Sequence, residues 1–343
     1  MGVMKYASLV VAAAILVVVL LTMSNQKSRR DTNRPGLHIV DRQFGMSSSA
    51  TSLDKAQTMI QANKHLDAFF ASNEPGAVGV LQMLRQRKLK GKVRCVGFDA
   101  SEQLVKGMRD GYIDALVSQD PFAIGYDSVR MMVDHLNGEE VPKVHHTRLQ
   151  VLTPENLDSP EVQRLLHPPP KQPAPADPKW RIAVVPKGTA HIFWQTVHSG
   201  ALAAGHEFNA EIIWKGTDEE IQHAQQSDIL EGFITAGVDG LVVAPTQADS
   251  QVAVIEKAAG KGIPVVIFDS AANTDQYVSF VATDNYHGGV LAARELARLL
   301  GGNGHIALLA TVPGGASTMK REQGFLETLR DEFNATGADK YLK

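Results

Sequence analysis

The chain has a single cysteine, Cys95, so it closes no disulfide within itself and offers no cysteine-rich metal site. It has no excess of positive charge. Lys and Arg number 34 against 37 Asp and Glu, a formal net charge of −3, which argues against a nucleic-acid partner. It has no Gly-x-Ser-x-Gly elbow, no Gly-x-x-x-x-Gly-Lys phosphate loop and no His-Glu-x-x-His pair. An enzyme is therefore not expected, nor a cofactor. Gly301–Gly304 is too short for a dinucleotide fingerprint and reads as a helix-ending turn. His145 and His146 are neighbours in an expected strand, where adjacent side chains face opposite ways, so a shared metal is not expected. Cys95 lies in the apolar run Val93–Phe98 and reads as a small buried hydrophobe.

What is present describes a globular protein. Hydrophobic residues make up 44% and charged residues 21%, and 343 residues suggest about two domains. Ala7–Met23 carries no charge and would span about 26 Å as a helix, a little short of a bilayer core of about 30 Å. With Lys5 ahead of it, residues 1–34 read as a secretory signal or an uncleaved membrane anchor. Lys27, Arg29, Arg30 and Arg34 outnumber Lys5, which by the positive-inside rule pulls against export. Residues 167–180, HPPPKQPAPADPKW, hold six prolines. Lacking amide hydrogens, these form an extended linker of about 3.1 Å per residue.

On both sides of the linker, short apolar runs alternate with helical stretches, the pattern of a parallel sheet covered on both faces. Before it, the expected strands are 37–44, 66–71, 92–98 and 114–118, with helices between them and a long one from Asp120-Pro121 to Leu136. After it, the expected strands are 181–185, 211–214, 240–244, 263–268, 277–282 and 305–310, and the last helix is 317–333. Polar residues fall just past the strands. Asn73, Asp99 and Gln119 do so before the linker, with Phe98 beside Asp99; Asp269-Ser270 and Asn285 do so after it. Each alone reads as a helix cap. Together they mark the carboxyl ends of strands, where open α/β sheets bind ligands. Lys187, His191, Phe193 and Trp194 sit in a strand-to-helix loop, and Arg321 lies on the last helix. Aromatic faces with planar donors and acceptors suit a hydroxyl-rich ligand.

The motifs VPKGTAHIFW, GVDGLVVAPT, IPVVIFDS, VATDNYHGG and KREQGF resemble the first half of the periplasmic monosaccharide-binding family, ribose-binding-protein-like, of the type I periplasmic binding fold. DAFFASNEPGAVGVL, CVGFDAS and VSQDPFAIG resemble its second half. Here the second half comes first. The resemblance thus implies a circular permutation, with the old ends bridged by the linker and new ends opened in one lobe. It implies an α/β fold of two doubly wound parallel-sheet lobes joined by crossover segments, with a ligand cleft between them. One lobe would take 181–283 and 120–148; the other 284–333, 35–119 and a strand near 149–153. Residues 334–343 would be a tail.

By resemblance, Phe193, Trp194 and Phe98 stack on a sugar ring, and Asp269, Asn285, Arg321, Asn73, Asp99 and Gln119 bind hydroxyls. His191 stands where the family more often has Asn, Ser270 where ribose binders have Arg, and Lys187 departs from the ribose pattern. The implied function is capture of a small monosaccharide or polyol for an ABC-type permease, by a periplasmic monomer that 7–23 tethers to the inner membrane if uncleaved. The alternative is a membrane-anchored sensory co-receptor binding a sugar or an autoinducer-2-like ligand. The effector core of a sugar-responsive repressor would need a helix-turn-helix, which residues 1–34 do not supply.

Overall fold

A computed structural model describes residues 36–342; the expected signal or anchor lies outside the described residues. Among the described residues no helix is long and apolar enough to cross a membrane. The described residues fold into two six-stranded sheets. The first contains β1 (Leu37–Phe44), β2 (Ala68–Ala71), β3 (Arg94–Phe98), β4 (Ala115–Gln119), β6 (Leu149–Leu152) and β12 (Gly304–Ala310), in the order β1-β12-β2-β3-β4-β6. The second contains β5 (Val144–Thr147), β7 (Trp180–Val185), β8 (Ala210–Trp214), β9 (Gly240–Val243), β10 (Val265–Phe268) and β11 (Ser279–Thr283), in the order β5-β11-β10-β9-β7-β8. All pairings are parallel except β4 with β6. Central strands such as Ala68–Ala71, Gly240–Val243 and Val265–Phe268 are buried at every position, as sheets covered on both faces require.

Helices α1 (Ser49–Ala62), α2 (Glu74–Gln86), α3 (Glu102–Arg109), α5 (Pro160–Leu166), α9 (Asn285–Leu299) and α10 (Ala316–Phe333) belong to the first lobe. Helices α4 (Pro121–Leu136), α6 (Ile192–Glu207), α7 (His223–Ala236) and α8 (Val252–Gly260) belong to the second. Several begin on a polar cap followed by proline, which lacks the amide hydrogen a first turn leaves unpaired. Asp120 before Pro121 accepts from the Ala123 amide at 2.9 Å, and Ser159 before Pro160 from the Val162 amide at 3.4 Å. The chain passes between lobes at 119–121, 147–149 and 283–285, and again through the linker. Thr147 and Thr283 join two of these passages, Oγ1 to Oγ1 at 3.4 Å.

One close helix crossing decides where a site residue stands. Gly289 of α9 lies against the Arg321 carbonyl of α10, and Gly324 of α10 against the Tyr286 carbonyl of α9. A Cβ at either position would collide with backbone, so the crossing depends on glycine. It brings the start of α9 beside Arg321.

Residues 168–179 have no regular secondary structure and run along the second lobe. The Lys179 amide donates to the Asn209 carbonyl at 2.9 Å, and Asn209 Nδ2 to the Asp177 carbonyl at 3.0 Å. Lys171 Nζ approaches His198 Nδ1 at 3.4 Å where that ring stacks on Trp214. Burial, and next the Lys171 charge, push the His198 pKa down to about 4. Cys95 is fully buried, and burial pushes its thiol pKa up, as suits a core side chain.

Two stretches differ from expectation. Helix α5 was not foreseen, although Ser159-Pro160-Glu161 is a helix start. Residues 334–342, expected as a tail, pack on β1. The Ile39 amide donates to the Thr336 carbonyl at 2.8 Å, the Thr336 amide to the Leu37 carbonyl at 3.0 Å, and Ala335 and Ala338 are buried. The cause is the helix end at Asn334, which is left-handed at φ 53° and turns the chain back onto the sheet.

Candidate functional site

The carboxyl ends of both sheets face a cleft of about 370 Å³, counting space open to solvent. The first lobe lines it with Asn73, Asp99, Gln119 and Arg321; the second with Lys187, His191, Phe193, Trp194 and Asp269. Two acids occupy matching places. Asp99 follows Phe98 at the end of β3, and Asp269 follows Phe268 at the end of β10. Both are left-handed, at φ 67° and 58°, a conformation that aspartate tolerates better than most residues. Such backbone at a strand end points to function.

Arg321 is 2% exposed and held on all sides. Its Nε donates to Asn285 Oδ1 at 2.8 Å, its Nη1 to the Ser72 carbonyl at 3.0 Å, and Nη1 stands 3.9 Å from Asp99 Oδ2. The guanidinium lies over the Phe98 ring, 3.9 Å from its centre. Gln119 Nε2 donates to Asp99 Oδ1 at 2.7 Å. In the other lobe, Lys187 Nζ pairs with Asp269 Oδ2 at 2.6 Å. Phe193 and Trp194 meet edge to face at 4.9 Å, so two adjacent aromatics present different surfaces to the cleft.

Three residues expected to touch ligand do not line the cleft. Phe98 is fully buried, and its ring supports Arg321. Ser270 donates to Asp269 Oδ2 at 3.2 Å and accepts from the Ser317 amide at 3.4 Å, with Ser317 Oγ 2.8 Å away, behind the acid. Asn285 is taken up by Arg321. These side chains position the ones that line it. Asn73 does both jobs. Its Oδ1 caps α2 by accepting from the Gly76 amide at 3.0 Å, while the residue also lines the cleft.

Glu74, Glu220, Ser317 and Thr318 also line the cleft and were not anticipated. Glu74 follows Asn73 directly, and Ser317 lies four residues before Arg321 on the same helix face, so signals existed for both. Glu220 follows Asp218 and Glu219 in a loop without periodicity. Its Oε1 accepts from Trp194 Nε1 at 2.8 Å and its Oε2 from Ser47 Oγ at 2.9 Å. The second of these bonds crosses between lobes, as do Lys187 to Ser317 at 3.2 Å and Ser270 to Ser317.

Burial sets the electrostatics. It raises the Asp99 pKa above the ordinary 3.8, against the Arg321 charge and the Gln119 hydrogen bond, which lower it. Burial likewise raises Glu74 and lowers Arg321. A carboxyl whose pKa is raised by folding stabilises the fold most below its ordinary value and loses that contribution as pH rises through the folded one. Asp99→Asn leaves the buried Arg321 charge without its carboxylate. Its unfolding temperature relative to the parent is still expected to be most favourable at neutral pH, and that margin to shrink as pH falls. Thermal unfolding at a series of pH values checks this; a margin that grows toward acid contradicts it.

The profile of the family described as "Periplasmic binding protein domain" matches residues 20–140 and 182–341, and the chain belongs to that family. It is a family of binding proteins, not enzymes. The ribose import binding protein RbsB of Bacillus subtilis is 35% identical over 32% of this chain and 35% of its own length. The D-ribose/D-allose-binding protein of Pseudomonas aeruginosa is 32% identical over 46% of this chain and 51% of its own. A solved ABC transporter solute binding protein from Agrobacterium vitis with bound D-fucose is 34% identical over 45% of this chain and 55% of that chain, with a TM-score of 0.44. The chain spans about half the length, or less, of the curated relatives it matches.

Proposed function

We propose that this chain is a solute-binding protein that captures a small monosaccharide or polyol between its two lobes for ABC-type import, in the periplasm that its family implies. One observation carries the reading. The cleft at the strand ends of both sheets collects Arg321, Asp99, Gln119, Asn73, Lys187 and Asp269 around the Phe193–Trp194 pair. Planar and bidentate polar groups fit ring hydroxyls, and aromatic faces fit the apolar face of a sugar. Relatives named for ribose, allose and xylitol support the ligand class. Closing the lobes removes water and strengthens each polar contact. A thermal-shift screen of the full chain against pentoses, hexoses and polyols is expected to give hits. A ligand at 100 times its Kd adds about 2.7 kcal/mol. Absence of any shift, repeated in calorimetry, rejects the reading.

The order of the halves belongs to the same proposal. The family match falls in two segments on either side of the linker, and the ends 36–39 and 334–341 lie side by side on β1. Both support a circular permutation. A chain opened within residues 171–176 and joined from Leu342 to Gly36 by a short glycine-serine turn is expected to fold with an unfolding temperature within a few degrees of the parent. Loss of cooperative unfolding in that chain contradicts the permutation.

A further inference from the structure

Beside the cleft lies a larger chamber, about 1320 Å³ counting space open to solvent. The two share walls, since Glu74, Asp99, Gln119 and Phe193 face both. The outer wall comes from α5 and from His167 and Pro168 at the start of the linker, facing α3 and the first turns of α6. Helix α5 and the linker fall within residues 141–181, outside both segments of the family match, so that match does not account for this wall.

The chamber wall is mostly polar, and part of its hydrogen-bonding capacity is free. Ser101 Oγ, at the start of α3, is buried and completes no hydrogen bond within the chain. Glu74 stands on the wall common to both spaces. Burial raises its pKa, while His191 and the Ser101 hydroxyl work against that rise. Glu102 and His167 face the chamber from exposed positions, and their side chains make no hydrogen bond to the described residues. Other polar groups are already committed: Arg109 pairs with Asp158 at 2.6 Å, and Gln163 Nε2 donates to the Leu157 carbonyl at 2.8 Å. Apolar surface lies between them, from Phe193, Leu165 and Leu166. An apolar group in this space would strip water from Ser101 and Glu74 and return no hydrogen bond. A hydroxylated ring supplies donors to the carboxylates and either role to the serine, and its apolar face suits the hydrocarbon patches. The chamber thus repeats the chemistry of the cleft. We propose that it receives a second hydroxylated ring joined to the first, so that the chain takes disaccharides. The assignment rests on the sugar-binding reading of the cleft, which would hold the first ring.

Calorimetry on the full chain tests it. The monosaccharide that binds tightest in the thermal screen is compared with disaccharides that carry it at either end, in α and β linkage, and with its two methyl glycosides. At least one disaccharide is expected to bind about tenfold tighter than the monosaccharide, the net contribution of one or two hydrogen bonds. The methyl glycosides, which add no hydroxyl, are expected to show no such gain. Ser101→Ala and Glu102→Ala are each expected to remove most of the gain and to leave the affinity for the monosaccharide unchanged. Glu102 is exposed, so its variant reads the effect if Ser101→Ala does not fold. A monosaccharide that binds while no disaccharide binds better overturns the chamber assignment and leaves the sugar reading standing. A methyl glycoside that gains as much as the disaccharide overturns it too, and so does a gain that survives both substitutions. No binding by any monosaccharide or disaccharide overturns the sugar reading, and the chamber with it.

Discussion

Arg321→Ala is expected to cost the fold about 3–5 kcal/mol, the usual consequence of removing one partner from a buried charge pair, and to weaken sugar binding by about a hundredfold or more. The guanidinium is the centre of the first lobe's half of the site. Its removal strands the Asn285 amide oxygen and the Ser72 carbonyl and leaves Asp99 without its counter-charge. It also uncovers the Phe98 face. Asp99 responds by taking a proton more readily, so the loss of stability is greatest at neutral pH and smaller in acid. Arg321→Lys separates charge from shape. A lysine keeps the cation but not the planar fork, so stability should largely return while affinity does not. Chemical denaturation and calorimetry read the two effects separately; sugar affinity unchanged in both variants removes Arg321 from the site.

The second large effect concerns the pair in the other lobe. Asp269→Ala leaves Lys187 7% exposed at the side chain and without its carboxylate, which should again cost about 3–5 kcal/mol. Combining it with Lys187→Met removes both charges, and most of that loss should return. On the proposed function sugar affinity should stay low in the double variant, because Lys187 and Asp269 would be the partners of the sugar hydroxyls. A double variant that binds sugar like the parent would make the pair a structural device only.

The alternation of apolar runs with helical stretches made the layered fold legible, because a strand buried on both faces has a composition that few other environments favour. Polar residues after strands made most of the site legible too, since the carboxyl edge of a parallel sheet is where the chain turns toward solvent. What strand position could not tell was which polar side chain faces ligand and which faces its neighbour. Asn285 and Ser270 sit at strand ends like Asp99, yet the glycine crossing of α9 with α10 gives Asn285 to Arg321, and the Ser317 hydroxyl takes Ser270. Glu220 was hidden for the opposite reason. Loop geometry alone selects it from three consecutive acids. Helix α5 is only seven residues long and abuts the proline run, so its Ser159-Pro160 start lacks the helical periodicity that would set it apart from the linker.

The interleaving of strands has one more consequence. Strand β12, from the far side of the linker, lies between β1 and β2, and β5, from the near side, borders β11. A protease that nicked the prolines is therefore expected to release neither fragment, since β12 stays inserted between strands of the other fragment and β5 stays paired at the edge of the second sheet. Made as separate polypeptides, the two pieces are expected to form a complementing pair, because neither alone holds all the strands of either sheet.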